Sequence, residues 1–132
     1  MATVKAYTDL EQSKKFAEIL PLESADMYWS RCTITDFGDG VLKVSYTVEP
    51  CNISQFRNTK EDIPCWSLAS LLGVLSKTAH SIDKDGSVGL GSYKNIEWGL
   101  CLTNTNVELF TANNPVDACY KMIIKLNELN LL

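Results

Sequence analysis

Apolar and polar residues along this chain follow two different periods, and the switches between them divide it into helices and hairpins. The first element is announced by Thr8-Asp9-Leu10-Glu11, where Thr8 as N-cap and Glu11 three residues later make a capping box. The helix that follows should reach Leu20 and bury Phe16, Ile19 and Leu20. Pro21 ends it, because proline has no amide with which to continue the ladder. Leu42, Val44, Tyr46 and Val48 then alternate with Lys43, Ser45 and Thr47, the period of a half-buried strand. Residues 27–35 are the expected partner, and Gly38-Asp39-Gly40 supplies the positive-φ positions of a tight reversal.

Residues 49–62 hold Pro50, Asn52, Ser54, Asn58 and Thr59, with Phe56 the only large apolar side chain, and read as a surface loop. A second helix should open near Asp62 and Pro64, since Leu68, Leu71, Leu72 and Leu75 form an apolar stripe at helical spacing. The stripe fades at His80, and residues 81–91 read as a flexible, glycine-containing connection. Ile96, Trp98, Leu100 and Leu102 share one face of a strand that turns at Asn104-Thr105-Asn106 and returns over residues 107–111. The last helix has the clearest start, with Asn114 as N-cap, Pro115 at the first helical position and Asp117 in the first turn. Val116, Cys119, Tyr120, Ile123 and Leu126 make its buried stripe.

The order α-β-β-α-β-β-α predicts an α+β fold of two layers. Its sheet is four-stranded and mostly antiparallel, built from two β-hairpins and covered by three helices. One domain should span residues 1–132, because no linker, low-complexity tract or internal repeat interrupts the chain.

Composition narrows the partners more than the fold. At 132 residues the chain can bury a sufficient core without staples, and 45% hydrophobic with 21% charged residues places it among globular chains. The net charge is −4, and the tightest basic grouping, Lys14-Lys15, sits beside Glu11 and Glu18. Nucleic acid is disfavoured, because binding a phosphate backbone calls for concentrated positive charge. Residues 1–7 carry no apolar signal-peptide core. The longest apolar stretch, 68–75, falls short of the ~20 residues that span a bilayer, so the expectation is a cytoplasmic protein away from membranes. The odd count of 5 cysteines then argues for buried thiols rather than a disulfide framework.

Each constellation with chemical promise has a plainer reading. Zinc needs closely spaced ligands, whereas Cys51 and Cys65 are the nearest pair of cysteines and His80 is the only histidine. Cys65, expected at a helix N-terminus, would have a lowered pKa, but His80 should lie about 20 Å away along the same helix and so cannot serve as its base. Ser67 and Ser70 lack a nucleophile elbow. Asp83-Lys84-Asp85-Gly86-Ser87 resembles part of a calcium loop, but Ser92 stands where the closing glutamate belongs. Gly86, Gly89 and Gly91 lead into a strand rather than a helix, which leaves no helix N-terminus for a phosphate. Trp98 belongs to an apolar strand face. Trp29 and Trp66 are better read as core than as a stacking box, although tryptophan is favoured at interfaces. No catalytic, cofactor-binding or metal-ligating residue follows from these patterns, and no cofactor is implied.

Four segments carry a resemblance. They are residues 63–72 with Pro64, Trp66, Ser67, Leu68, Leu71 and Leu72; residues 114–123 with Asn114, Pro115, Asp117, Ala118 and Cys119, closing over 125–132; residues 11–15; and residues 19–27. Together they resemble a group of small uncharacterised proteins of gut Bacteroidales and their prophages. The likeness covers the three helices, about half of the chain, and brings no catalytic residues. It implies a cytoplasmic accessory protein of phage or mobile-element origin.

The leading expectation is therefore a non-enzymatic binding or adaptor module. One alternative is a phage-encoded inhibitor of host defence that blocks a protein or sequesters a small-molecule signal, and another is a small thiol or serine hydrolase. Phe56, Arg57 and Lys60 of the 49–62 loop, with Trp29 and Trp66, are the candidate interaction residues. A protein partner, a small-molecule ligand and a second copy of the chain in a homodimer all remain open.

Overall fold

A computed structural model describes residues 5–35, 42–47, 49–56, 62–94 and 97–132. The Gly38-Asp39-Gly40 reversal, Val48, Arg57 and Lys60 lie outside the described residues. The fold is α+β, with three α-helices and antiparallel sheets among the described residues, and its contacts gather into two compact units. One unit is Asp9–Trp66; the other joins Ser67–Leu132 to the residues before Asp9.

In the first unit, helix α1 (Leu10–Ile19) starts one residue later than the sequence pattern suggests. Thr8 is buried, and Asp9 takes the N-cap instead: its carboxylate accepts the Gln12 amide at 2.8 Å, while the Asp9 amide donates to the Gln12 side chain at 3.2 Å. The two orphan donors of the first turn are thereby satisfied reciprocally. Phe16 and Ser13 face inward.

The strand expected over residues 27–35 is two strands, β1 (Met27–Trp29) and β2 (Arg31–Thr35), divided at Ser30. β2 pairs with β3 (Leu42–Tyr46) in the expected hairpin, Arg31 opposite Tyr46 and Thr35 opposite Leu42. β1 instead pairs on both sides, with β4 (Cys51–Asn52) and with β5 (Ile63–Cys65), in the order β4-β1-β5. Between the two pairings the return chain gains two residues of register, in the stretch that contains Pro50. Proline offers no ladder amide, so a break at this point costs little. Residues 49–62 are accordingly not a plain loop, since they supply β4 and a 3-10 turn, Ile53–Gln55, capped by the Asn52 side chain on the Ser54 amide. Nor does Pro64 open a helix. It sits in β5 opposite Tyr28, on an edge strand where a missing N–H is tolerated.

In the second unit, helix α2 (Leu68–Ile82) begins at Ser67, whose hydroxyl accepts the Ser70 amide. Leu71, Leu75, Thr78 and Ala79 are its buried residues. Of the residues 81–91 that read as a flexible connection, the first two end α2 and the last four open strand β6 (Val88–Tyr93), which pairs with β7 (Glu97–Leu102); β7 pairs in turn with β8 (Phe110–Ala112). Among the described residues the predicted single four-stranded sheet is thus replaced by two three-stranded sheets and the β2-β3 pair. The reason is local. β1 takes two partners of its own, and the glycines at 89 and 91 leave strand pairing intact while removing the side chains that mark a strand in sequence.

Residues opposite one another in a ladder share a face, so Leu90, Trp98, Leu100, Leu102 and Ala112 lie together. This is the face that α2 and helix α3 (Pro115–Glu128) cover. α3 opens as expected on Asn114, which accepts the Asp117 amide at 2.8 Å, and buries Val116, Cys119, Met122, Ile123 and Leu126. Tyr120 is only half-buried. The helix closes in a Schellman arrangement: Asn130 has φ 58°, the Leu131 amide reaches Leu126 O, and the Asn130 amide reaches Asn127 O.

Two glycines of this unit should respond oppositely to alanine. A Cβ on Gly86 would run into the Ala79 carbonyl oxygen and lie 2.9 Å from the Asp83 oxygen, both backbone atoms, whereas a Cβ on Gly73 meets nothing within 4 Å. Gly86→Ala is expected to cost about 1–3 kcal/mol of stability. Gly73→Ala, on the exposed side of α2, should add about 0.5–1 kcal/mol. Urea unfolding of the two variants beside wild type checks both signs.

Candidate functional site

The side chains with most chemical promise are engaged in building the first unit. Trp66 is completely buried, and its indole N–H donates to the Ser24 hydroxyl at 2.9 Å. Ser24 stands at the end of the 3-10 turn Leu22–Ser24, which forms once Pro21 has ended α1. Phe16 meets the Trp66 ring edge-on, with centroids 5.7 Å apart, the arrangement that brings a positive ring edge to a negative ring face. Trp29 is buried on β1 and donates its N–H to the Ser13 hydroxyl of α1 at 3.1 Å. Both indoles thus have an acceptor, as a buried N–H requires.

Tyr28 and Trp29 are neighbours on β1 and so point to opposite faces, and both are buried. The ring of Phe56 stands at 63° to that of Tyr28, with centroids 5.5 Å apart. Phe56, the large apolar residue of the expected loop and a candidate interaction residue, is half-buried as an anchor for the Cys51–Gln55 segment, while Asn52 and Ser54 are exposed. The structure places Trp29, Trp66 and Phe56 in one unit, each held by a different partner, and neither tryptophan is at the surface. Ser13, Ser24 and Tyr28, which hold these rings in place, were not singled out in the sequence. Ser13 carries a usable signal, since it lies three residues before Phe16 on the buried face of a helix.

The thiols divide into two classes. Among the described side chains Cys65 and Cys119 are fully buried, whereas Cys51 and Cys101 are half-exposed. Cys65 does not stand at a helix N-terminus but at the end of β5, paired with Met27, so the electrostatic lowering expected of it has no basis. Burial pushes the Cys119 thiol up to about 12, which keeps it neutral and poorly nucleophilic. Ser67 is the cap of α2, and Ser70 donates its hydroxyl back to the Ser67 carbonyl at 2.9 Å. His80 is exposed in the last turn of α2.

The Asp83–Ser87 stretch is a turn whose polar groups are internally satisfied. Asp83 accepts the Asp85 amide at 2.9 Å, the Gly86 amide reaches the Asp83 carbonyl at 2.7 Å, and the Asn104 side chain donates to the Asp85 carbonyl at 2.9 Å. Among the described residues no group of three or more His, Cys, Asp or Glu converges as a metal would need, and no helix is long and apolar enough to cross a membrane. Lys5 and Asp117 form a half-buried ion pair at 2.8 Å, and Asp117 also accepts from the Asn114 side chain. This ties the start of α3 to the chain preceding Asp9, a structural use of both charges. Comparison with protein-family models, with curated proteins and with solved structures returns no match to this chain.

The thiol classes have a direct readout. A small thiol reagent should modify Cys51 and Cys101 in the native protein, and reach Cys65 and Cys119 only on unfolding. Because the folded-state pKa of Cys119 lies above its ordinary value of 9.0, its contribution to stability is full below about pH 9 and is lost progressively as pH rises toward 12. Cys119→Ala lacks this term, so the stability gap between wild type and variant should narrow as urea unfolding is followed from neutral to alkaline pH.

Proposed function

We propose that this chain is a non-enzymatic binding module that acts through a protein partner. The observation that carries the reading is the deployment of its reactive and aromatic side chains. Ser13 and Ser24 hold indoles, Ser67 caps a helix, and Cys65 and Cys119 are sealed in the interior. Nucleophilic catalysis needs an accessible nucleophile within hydrogen-bond reach of a base, and these groups are already committed to folding. Binding asks less of the interior, because it uses surface residues held in place by a packed scaffold.

The contact region proposed here begins at the Cys51–Phe56 segment. Its exposed Asn52 and Ser54 are carried on an aromatic anchor, and Arg57 and Lys60 follow in sequence. Two cationic side chains after an anchored segment suit an acidic partner surface, with the charges steering the encounter. The resemblance of the helical segments to small proteins of gut Bacteroidales and their prophages supports a cytoplasmic, phage or mobile-element setting for this role. In that setting the partner blocked would be a host protein.

Native mass spectrometry of the chain purified from its own host, beside an Arg57→Glu/Lys60→Glu variant, tests the reading. A partner protein present with wild type and depleted about tenfold or more with the double variant is the expected result, since the reversal exchanges attraction for repulsion at two positions. A partner retained equally by both forms moves the contact away from this segment and overturns the assignment. A bare chain in both preparations overturns the partner altogether.

A further inference from the structure

The strand edges of this protein are not treated alike. β4 spans two residues and follows Pro50, β5 spans three and contains Pro64, and β8 spans three. The β2-β3 hairpin carries Arg31 and Lys43 within its strands. Short strands, proline and strand charges are the ordinary devices that stop an edge from recruiting another chain. β6 has none of them: among the described residues it is an edge strand of six residues, Val88–Tyr93, without proline or a charged residue, and it runs in unbroken register against β7.

The register shows which backbone groups of β6 face outward. The Thr103 amide donates to the Ser87 carbonyl at 2.8 Å, which makes Ser87 and Thr103 a hydrogen-bonded pair. Hydrogen-bonded and non-hydrogen-bonded pairs alternate along an antiparallel ladder, so Gly89 and Gly91 direct their amides and carbonyls toward β7. Val88, Leu90 and Ser92 direct theirs away from it. The outward row is therefore three amides and three carbonyls at alternate residues, centred on Leu90.

We propose that β6 pairs antiparallel with β6 of a second copy of this chain, with Leu90 on the two-fold axis. In that register Leu90 meets its own symmetry mate, and Val88 of each copy meets Ser92 of the other. All three outward residues then form hydrogen-bonded pairs, for six bonds in all. A slip by two residues in the pairing either way leaves an outward residue of each copy beyond the paired row, so the symmetric register is preferred. Charge agrees with the antiparallel sense. Asp83 and Asp85 precede the strand and Lys94 follows it, so each copy's acidic start approaches the other's basic end. The two sheets would join as one of six strands, with the glycine-bearing faces of Gly89, Gly91 and Gly99 continuous across the axis. A contact of this kind buries less than the roughly 1,200 Å² of a standard interface and belongs to the weak, concentration-dependent class.

Sedimentation velocity of the full chain over a dilution series tests this. Wild type should show a reversible monomer–dimer equilibrium. Ser92→Pro removes an outward amide from each copy without taking one from the β6-β7 ladder, and should weaken the dimer by a factor of about ten to a hundred while far-UV circular dichroism stays unchanged. Lys94→Glu should also weaken it, and Asp85→Lys/Lys94→Glu should recover it. This charge exchange reads the same contact should the proline variant fail to fold. A wild type that remains monomeric at every concentration overturns the proposal. So does a folded Ser92→Pro that dimerises as tightly as wild type, or a double exchange that recovers nothing.

Discussion

A buried indole N–H has to find an acceptor, and in the Asp9–Trp66 unit that requirement organises everything around it. Trp66 is sealed from solvent, and its N–H is satisfied by the Ser24 hydroxyl at 2.9 Å. Ser24 can be there only because Pro21 ends α1 and the chain folds at once into a 3-10 turn. The same geometry brings Phe16 of α1 edge-on to the indole, and Trp29 repeats the arrangement on β1 with Ser13 as acceptor. Leaving such a donor unpaired in the interior costs about 1–3 kcal/mol, a large share of a small domain's net stability. Helix, turn and central strand are therefore held by shared polar anchors as well as by apolar packing.

The second unit solves its packing differently. Its sheet is apolar on the face beneath α2 and α3 and glycine-rich on the other, where Gly89, Gly91 and Gly99 stand with Cys101 and Thr111. A strand built this way gives up side-chain packing on one side and keeps its backbone ladder. Its order rests on the helices above it and on the turn at Asp83–Gly86, whose tight approach to the Ala79 carbonyl leaves no room for a side chain. Asn104 and Asn130, both in the left-handed region, close the β7 turn and the end of α3. Asparagine tolerates that conformation better than most residues.

Ser13, Ser24 and Ser67, the indoles of Trp29 and Trp66, and the thiols of Cys65 and Cys119 all serve the structure of the two units. A nucleophile that caps a helix or holds a tryptophan is unavailable for transfer chemistry. A thiol pushed to about 12 by burial is neutral across the biological pH range. Among the described residues, the polar side chains of the anchored Cys51–Phe56 segment and the six-residue edge of β6 stand outside that use. The anchored Cys51–Phe56 segment belongs to one unit and the β6 edge to the other.

Much of the fold was legible because its signals are local. The α3 start at Asn114-Pro115, the stop at Pro21, the stripe of α2 and the β2-β3 alternation each depend on residues within a turn or two of one another, and each stands close to where the pattern puts it. The α1 cap lies one residue beyond the expected one, because Thr8-x-x-Glu11 and Asp9-x-x-Gln12 overlap as capping patterns and it is Asp9 that makes the bonds in the fold. What sequence could not carry is pairing across distance. That β1 would take β4 and β5 as partners, that a glycine-containing connection would become β6, and that Pro64 would sit in a strand are all settled by which backbone groups find one another in three dimensions. The aromatic candidates show the same division. Their chemistry marks Trp29, Trp66 and Phe56 as important, but whether such a ring faces solvent or an interior serine depends on packing, which no local periodicity encodes.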